Sequence, residues 1–243
     1  MRVLVISDIH ANYEALEAVL ADAGAADETW CLGDIVGYGP DPNLCVEVVR
    51  EQPQLTCLMG NHDAAVVGRI PFSAFNGDAR RSLEYQDRVL NADNLDFLRS
   101  LPDAARVRGD VTLAHGSPRD PVWEYVLNTL TARINFDYFD TPWCFLGHSH
   151  IQCVFRKDVT NDRITLDVPK AGSLVKMKPR AILNPGSVGQ PRDRDPRAAY
   201  AIYDSEAQTW EPRRVSYDVA AVQKRIRQMN LPEKHAARIA EGW

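Results

Sequence analysis

The stretch Gly60-Asn61-His62-Asp63 decides how the rest of the chain is interpreted. It directly follows an apolar run at residues 55–59 that is typical of a buried strand, and residues 64–67 then suit a helix. In open α/β sheets, ligand sites lie at the carboxyl ends of the strands. An amide, an imidazole and a carboxylate placed there make sense if they face a group of high positive charge. The stretch therefore predicts a polar site at the edge of a sheet.

Length and composition favour one α/β domain spanning residues 1–243. Hydrophobic residues make up 45% of the chain, which is enough for a substantial core.

The net charge of −5 argues against a nucleic-acid or anionic-membrane surface, but not against one anionic substrate held by metal ions. The apolar run near the N-terminus is too short for a signal peptide or a membrane span, so we expect a cytoplasmic protein. The five cysteines, with no CxxC pair, are predicted to be core residues.

The order of the predicted elements indicates two kinds of architecture. The first half alternates strands with helices; Asn12, Asp41, Asn76 and Asp93 are the predicted N-caps. The second half consists mainly of strands in series, with a hairpin near residues 154–168. This arrangement predicts a mixed sheet, or two packed sheets, covered by helices. Residues 117–140 read as irregular and aromatic, and we expect their aromatic rings to serve ordinary packing rather than to wall a pocket.

The histidines are not scattered along the chain. Five of the six lie near the carboxyl ends of apolar runs, whereas His235 is expected in the last helix and exposed to solvent. Their joint placement with two aspartates and an asparagine predicts a metal site. Imidazole and carboxylate ligands without thiolate suit Mn, Fe, Zn or Ni. The spacing of Asp8 and His10, and of His148 and His150, would direct each pair to one side if the backbone were extended, so we expect extended loops.

The number of candidate ligands indicates two divalent ions, because seven are too many for one tetrahedral ion. Two ions about 3.5–4 Å apart can stabilise the attacking and leaving oxygens of phosphoryl transfer, and they lower the pKa of a bound water to about 7. The candidate metal ligands are Asp8, His10, Asp34, Asn61, His115, His148 and His150.

Five short blocks resemble, in the same order, those of the calcineurin-like metallophosphoesterases. The resemblance covers residues 8–150, and it departs from the family only in Ser149, where many members have threonine. The loop at 37–41 and the stretch 184–192 resemble small bacterial and archaeal members described as phosphoesterases or phosphodiesterases. The five blocks are Asp8-Ile9-His10, Gly33-Asp34, Gly60-Asn61-His62-Asp63, His115-Gly116 and Gly147-His148-Ser149-His150.

The resemblance implies a four-layer α/β/β/α sandwich, with two mixed sheets flanked by helices. It also implies that Asp34 bridges two ions and that a bridging hydroxide attacks phosphorus. His62 would not bind metal; it would contact the phosphate and protonate or stabilise the leaving oxygen. The remaining ligands divide into two sets: Asp8, His10 and His150 for one ion, and Asn61, His115 and His148 for the other.

Three further residues have two interpretations each. Arg192, in a Gly/Pro-rich loop, could clamp a phosphate bidentately or form a surface ion pair with Asp193 or Asp195. Asn12 is expected to cap its helix rather than to touch the metal shell, and Tyr38 could face the substrate.

The leading functional hypothesis is hydrolysis of a small phosphomonoester or phosphodiester. Cleavage of dinucleoside polyphosphates or of phosphoprotein is the alternative within this class. A non-catalytic protein-binding scaffold is disfavoured, because all seven ligand positions and His62 are filled. Specificity is expected to reside in residues 64–100 and 117–140, and the sequence is compatible with a homo-oligomer.

Overall fold

Two mixed six-stranded sheets pack face to face in a computed structural model that describes residues 1–243. In spatial order, the first sheet contains β3 (Thr56–Cys57), β2 (Glu28–Cys31), β1 (Arg2–Ile6), β11 (Ala198–Asp204), β12 (Thr209–Val215) and β9 (Val175–Lys176). The second contains β4 (Arg106–Arg108), β5 (Val111–Leu113), β6 (Trp143–Phe145), β10 (Ala181–Asn184), β7 (Cys153–Lys157) and β8 (Ile164–Asp167).

Helices cover the outer face of each sheet. Seven of the eight helices accompany the first sheet or extend from it, and α6 covers the second. A short 3₁₀ helix, Phe72–Ala74, precedes α4. The helices are α1 (Tyr13–Ala23), α2 (Pro42–Arg50), α3 (Asn61–Val66), α4 (Gly77–Val89), α5 (Ala92–Ser100), α6 (Thr129–Asn135), α7 (Val219–Gln228) and α8 (Glu233–Glu241).

The side-chain alternation of β1 separates the two main cores. Val3 and Val5 pack between the sheets with Phe145 and Trp210, because successive side chains of a strand point to opposite faces. Leu4 and Ile6 point the other way, into the larger core beneath the helices. A third core joins α6 to the second sheet through residues that include Phe136 and Phe155. The predicted four-layer α/β/β/α sandwich is therefore confirmed.

Most predicted helix starts are confirmed, with one correction. The side-chain oxygens of Asn12 and Asn76 accept backbone hydrogen bonds at the starts of α1 and α4. The expectation that Asp93 caps the next helix is wrong, because Asn91 occupies that position and accepts from the amide of Asn94 at 2.8 Å. Asp41 is the N-cap residue of α2, but its carboxylate accepts from Arg225 instead of capping.

Two other features concern the expected environment of the chain. All five cysteines are buried and unpaired, as expected for small core residues. The structure contains no helix with both the length and the apolar character needed to cross a bilayer.

Candidate metal centre

The candidate ligands meet because they follow the carboxyl ends of parallel strands. β1, β2 and β3 are parallel in the first sheet, and β5, β6 and β10 are parallel in the second. Their loops converge at one edge of the sandwich, where ligand sites of α/β sheets lie. All seven side chains are buried there: Asp8, His10, Asp34, Asn61, His115, His148 and His150.

One group of donor atoms is built from the loops after β1, β2 and β6. His150 Nε2 lies 3.1 Å from His10 Nε2 and 3.3 Å from Asp8 Oδ1. Asp34 Oδ2 approaches His10 Nε2 at 3.7 Å from the other side. The donor atoms of Asp8, His10 and His150 all lie within 4.8 Å of one another, and with Asp34 beside His10 they form a set that can hold a divalent ion.

A second group of donors lies on the opposite side of Asp34. His115 Nε2 is 3.1 Å from His148 Nδ1 and 3.4 Å from Asn61 Oδ1. The same Asp34 Oδ2 that faces His10 lies 3.4 Å from His115 Nε2. Asp34 is thus shared by two adjacent donor sets.

The outer nitrogen of each imidazole faces a backbone carbonyl. His10 Nδ1 lies 2.9 Å from Val36 O, and His115 Nδ1 lies 2.9 Å from Leu32 O. His150 Nδ1 and His148 Nε2 make the same kind of contact, with Gln190 O and Trp123 O at 2.6 and 3.1 Å. A carbonyl only accepts, so each outer nitrogen carries the proton and each inner nitrogen of a neutral ring presents its lone pair. Histidines that ligate metals are oriented in this way.

The electrostatics of the buried groups also suit a cation. Burial lowers the pKa of His10, His148 and His150 well below the usual range, which keeps these rings neutral and able to act as ligands. Although burial opposes it, the Asp34 carboxylate raises the pKa of His115 to about 9. Burial raises the pKa of Asp34, but the positive charges of the surrounding histidines, His115 foremost, together outweigh it, and this pKa lies well below its usual range. Carboxylate and imidazole thus favour a positive charge between them.

The backbone that carries these ligands is not extended, so that prediction is wrong. Asp8, His10, His148 and His150 have φ angles of 53°, 50°, 60° and 58°, in the left-handed region. Non-glycine residues rarely adopt this conformation, and such strain clusters at functional sites. The side chains converge through tight turns instead of through the alternation of a strand. The two-residue spacing therefore does bring the candidate ligands together, but through left-handed turns instead of an extended backbone.

The Asp34 carboxylate fits against Gly60, where no side chain could be accommodated. A Cβ atom at Gly60 would collide with the carboxylate of Asp34. Asp63 fixes the same region, because its carboxylate accepts from the amides of Asp34 at 2.8 Å, Gly60 at 3.0 Å and Val36 at 3.1 Å. Asp63 therefore joins the loops after β2 and β3. The sequence analysis assigned Asp63 no role; its position three residues after Gly60, at the start of a helix, is the signal that would have indicated one.

His62 lies beside both groups of donors but differs from the other histidines. It is the second residue of α3, which begins earlier than the sequence suggested, and its amide donates to Asp34 Oδ1 at 2.8 Å. Its buried Nδ1 has no hydrogen-bond partner. Burial lowers the pKa of His62 to about 4. A donor atom of His62 also lies within 4.8 Å of donors of His10 and Asp34, so the geometry alone does not separate a ligand from a substrate-facing group.

Arg192 turns towards the metal centre instead of the surface. Its guanidinium donates to Tyr38 Oη at 3.4 Å and to Gln190 Oε1 at 3.2 Å, and its Nε atom is buried without a partner. The alternative of an ion pair with Asp193 or Asp195 is wrong, because Arg214 and Arg197 occupy those carboxylates. Arg192 is therefore free to meet an anion.

The sequence analysis did not predict the positions of Tyr125 and His235, which both lie close to the candidate metal centre. Tyr125 stacks on His148, with ring centroids 3.8 Å apart and planes 22° from parallel. Part of the 117–140 segment thus walls the site, although Phe136 and Phe139 serve ordinary packing as expected. The expectation that His235 is solvated is wrong, because it is buried and its ring lies 4.9 Å from that of Tyr38.

Comparison with known proteins agrees with this geometry. A metallophosphoesterase from Sphaerobacter thermophilus, known from its crystal structure, superposes with a TM-score of 0.92 at 47% identity, covering 100% of this chain and 99% of that one. An uncharacterized protein of Methanocaldococcus jannaschii is 38% identical over 243 residues, 95% of this chain and 94% of that protein. A symmetrical bis(5'-nucleosyl)-tetraphosphatase of Photorhabdus laumondii is 32% identical over 108 residues, 43% of this chain and 34% of that enzyme. Residues 1–208 match the calcineurin-like phosphoesterase superfamily domain, and the chain therefore belongs to that superfamily.

Proposed function

We propose that this protein is a phosphoesterase that hydrolyses phosphomonoester or phosphodiester bonds with two divalent metal ions. The observation that carries the proposal is the pair of inward-facing donor sets that share Asp34 Oδ2. The superfamily depends on divalent metals and acts on phosphorylated substrates, which supports this interpretation. When bound, two such ions would supply Lewis-acid charge and lower the pKa of a water molecule.

The candidate ligands would form two metal sites. Asp34 would serve both sites. The candidate ions are Mn, Fe, Zn and Ni, since imidazole and carboxylate ligands suit each of them. The four backbone carbonyls behind the rings hold every imidazole in the tautomer that binds metal. One ion would be held by Asp8, His10 and His150, and the other by Asn61, His115 and His148.

His62 serves the substrate in this proposal. As a neutral imidazole it keeps one N–H donor, which can hydrogen-bond a phosphoryl or leaving oxygen. Burial lowers the pKa of His62, whereas the negative charge of Asp34 raises it, and the charge of a bound phosphate would raise it as well. Once the ring has been protonated to imidazolium, His62 can pass that proton to the leaving oxygen and return to the neutral form. Such a group contributes about 10²–10⁴-fold to the rate.

Arg192 would hold a non-bridging oxygen of the phosphate. A guanidinium matches phosphate geometry through two parallel hydrogen bonds. Tyr38 supports it, since the Arg192 Cζ atom lies 5.7 Å from the centre of the Tyr38 ring. The Tyr38 ring also lies 4.5 Å from the His62 ring, so Arg192 and His62 lie on the same side of the site.

A second candidate is the hydrolysis of dinucleoside polyphosphates. The partial similarity to a symmetrical bis(5'-nucleosyl)-tetraphosphatase favours it, although the match covers only 34% of that enzyme. The stacking of Tyr125 near the metal centre is compatible with a substrate that carries an aromatic base.

The test uses bis-p-nitrophenyl phosphate and p-nitrophenyl phosphate with the full chain. Protein treated with a chelator should be inactive, and Mn²⁺ should restore hydrolysis of at least one substrate. Undiminished hydrolysis in excess chelator would contradict the metal-dependent reaction. Failure to hydrolyse either ester after reconstitution with Mn²⁺, Fe²⁺, Zn²⁺ or Ni²⁺ would contradict the proposed phosphoesterase.

A further inference from the structure

The C-terminal helix pair borders the metal centre, although the superfamily match ends at residue 208. A small cavity is lined both by His10 and Gln190 of the site and by Ile226 of α7 and His235 of α8. The end of α8 is also tied to the loop that carries Arg192, since the amide of Arg194 donates to Gly242 O at 2.6 Å. This helix pair is therefore in a position to supply side chains to the site.

Arg238 is the arginine of α8. It follows His235 by three residues, so both lie on one face of the helix, and the His235 ring lies 4.9 Å from that of Tyr38. On its outer side, the Arg238 Cζ atom lies 5.6 Å from the centre of the Trp243 ring. The tryptophan limits the positions that the guanidinium can adopt.

Arg192 and Arg238 have no carboxylate partner, and each has a buried Nε–H donor that no acceptor meets. The ion pairs of the neighbouring loop are complete without them: Arg214 holds Asp193, and Arg197 holds Asp195.

Tyr38 links the two residues, because its ring centre lies 5.7 Å from Arg192 Cζ and 4.9 Å from the ring of His235, one turn before Arg238 on α8. In keeping with this placement, burial, and next the charge of Arg192, lower the pKa of Arg238. Two neighbouring guanidinium groups with unused donors would be stabilised by an anion that accepts from both.

We propose that Arg192 and Arg238 form a second anion subsite beside the metal centre, which binds a phosphoryl group joined by an anhydride to the one that is hydrolysed. This inference rests on the proposed function and narrows its substrate class to compounds with adjacent phosphoryl groups. Arg192 contacts the reacting phosphoryl group and Arg238 the next one. The phenol of Tyr38, which accepts from Arg192, lies between the metal ligands and the subsite. A substrate with a single phosphate leaves Arg238 without an anion.

The test is calorimetric titration of the Mn²⁺-loaded full chain with methylenediphosphonate and with methylphosphonate. A charge-assisted hydrogen bond stabilises by about 1.5–3 kcal/mol, so Arg238→Gln should weaken diphosphonate binding about tenfold to a hundredfold. Methylphosphonate binding should change by less than about twofold, because that probe does not reach Arg238. Arg238→Lys should give an intermediate loss, because it keeps the charge but not the planar fork.

Lys234→Gln is the matched control, because it removes one positive charge from the exposed side of the same helix. It should bind both probes as the unaltered protein does. Equal diphosphonate binding by the unaltered protein, Arg238→Gln and Arg238→Lys would overturn the subsite. An equal loss of affinity for both probes would also overturn it, because Arg238 would then contact the hydrolysed phosphoryl group. An equal loss of diphosphonate affinity in Lys234→Gln would overturn it too, because the effect would then be one of net charge.

The two proposals fail separately. If the metal-loaded protein hydrolyses no phosphate ester but binds methylenediphosphonate through Arg238, the subsite stands and the phosphoesterase proposal fails. If it hydrolyses p-nitrophenyl phosphate and Arg238→Gln leaves diphosphonate binding unchanged, the phosphoesterase proposal stands and the subsite fails. Thermal melting of each variant shows whether it is folded, and Arg238→Lys gives the result if Arg238→Gln does not fold.

Discussion

His10 Nε2 lies 3.1 Å from His150 Nε2, and the Nδ1 atom of each ring faces a backbone carbonyl. The Nδ1–H groups of these rings donate to Val36 O at 2.9 Å and Gln190 O at 2.6 Å, so two lone pairs face each other. Lone pairs at this distance repel unless a cation lies between them. The relationship therefore indicates that part of the stability of this edge of the sandwich depends on bound metal.

Metal removal should lower the melting temperature. A ligand at a hundred times its Kd stabilises a protein by about 2.7 kcal/mol, which corresponds to about 5–10 °C for a chain of this size. We expect Mn²⁺ to raise the melting temperature of chelator-treated protein by at least this amount in differential scanning calorimetry. Ca²⁺ at the same concentration is the control, because it prefers oxygen ligands. An identical melting temperature with and without Mn²⁺ would contradict the two donor sets.

Replacement of His62 should separate metal binding from turnover. His62→Ala is expected to keep both ions and to lose about 10²–10⁴-fold in kcat, because the leaving oxygen loses its proton donor. The measurement combines metal analysis with steady-state kinetics, and His10→Ala, which should lose metal, serves as the comparison. Loss of one ion from His62→Ala would assign this residue to the ligands instead, as its closeness to His10 and Asp34 allows.

The close approach of Gly60 to Asp34 gives a steric prediction. Gly60 has a φ of −90°, which alanine can adopt, but the added Cβ would collide with both the carboxylate and the backbone amide of Asp34 and so displace this residue. A displacement of about 1 Å in a catalytic group can cost about 100-fold in rate, and we expect a loss of that order in kcat/KM together with weaker metal binding. Gly77→Ala is the matched control, since nothing lies within 4 Å of the position that its methyl group would occupy. Full activity in Gly60→Ala would show that Asp34 need not hold this position.

The sequence was sufficient to predict which polar side chains meet, because parallel strands end at a common edge. Asp8, Asp34 and His115 each follow a short apolar run, and the structure places all three within one buried cluster. The caps at Asn12 and Asn76 were predictable for a similar reason, since an N-cap depends on local contacts. Most of the correct predictions therefore concern helix caps and polar residues that directly follow a strand.

The errors concern residues whose environment depends on distant parts of the chain. His235 is buried because its Nε2 atom lies 3.2 Å from Asp78 O on α4, 157 positions away. Tyr125 belongs to a loop without periodicity, so nothing in its sequence indicated that it stacks on His148. The left-handed backbone of Asp8 and His10 was equally hidden, because such conformations are expected mainly at glycine.

The most direct test of the account is a metal count in the Asp34→Asn variant. Because Asp34 Oδ2 faces both donor sets, at 3.7 Å from His10 Nε2 and 3.4 Å from His115 Nε2, its loss should weaken both sites. After reconstitution with Mn²⁺ and removal of free metal, mass spectrometry should find two ions in the unaltered chain and in the exposed control Asp137→Asn. It should find fewer than one in Asp34→Asn. One ion or none in the unaltered chain, or two in Asp34→Asn, would contradict the shared carboxylate.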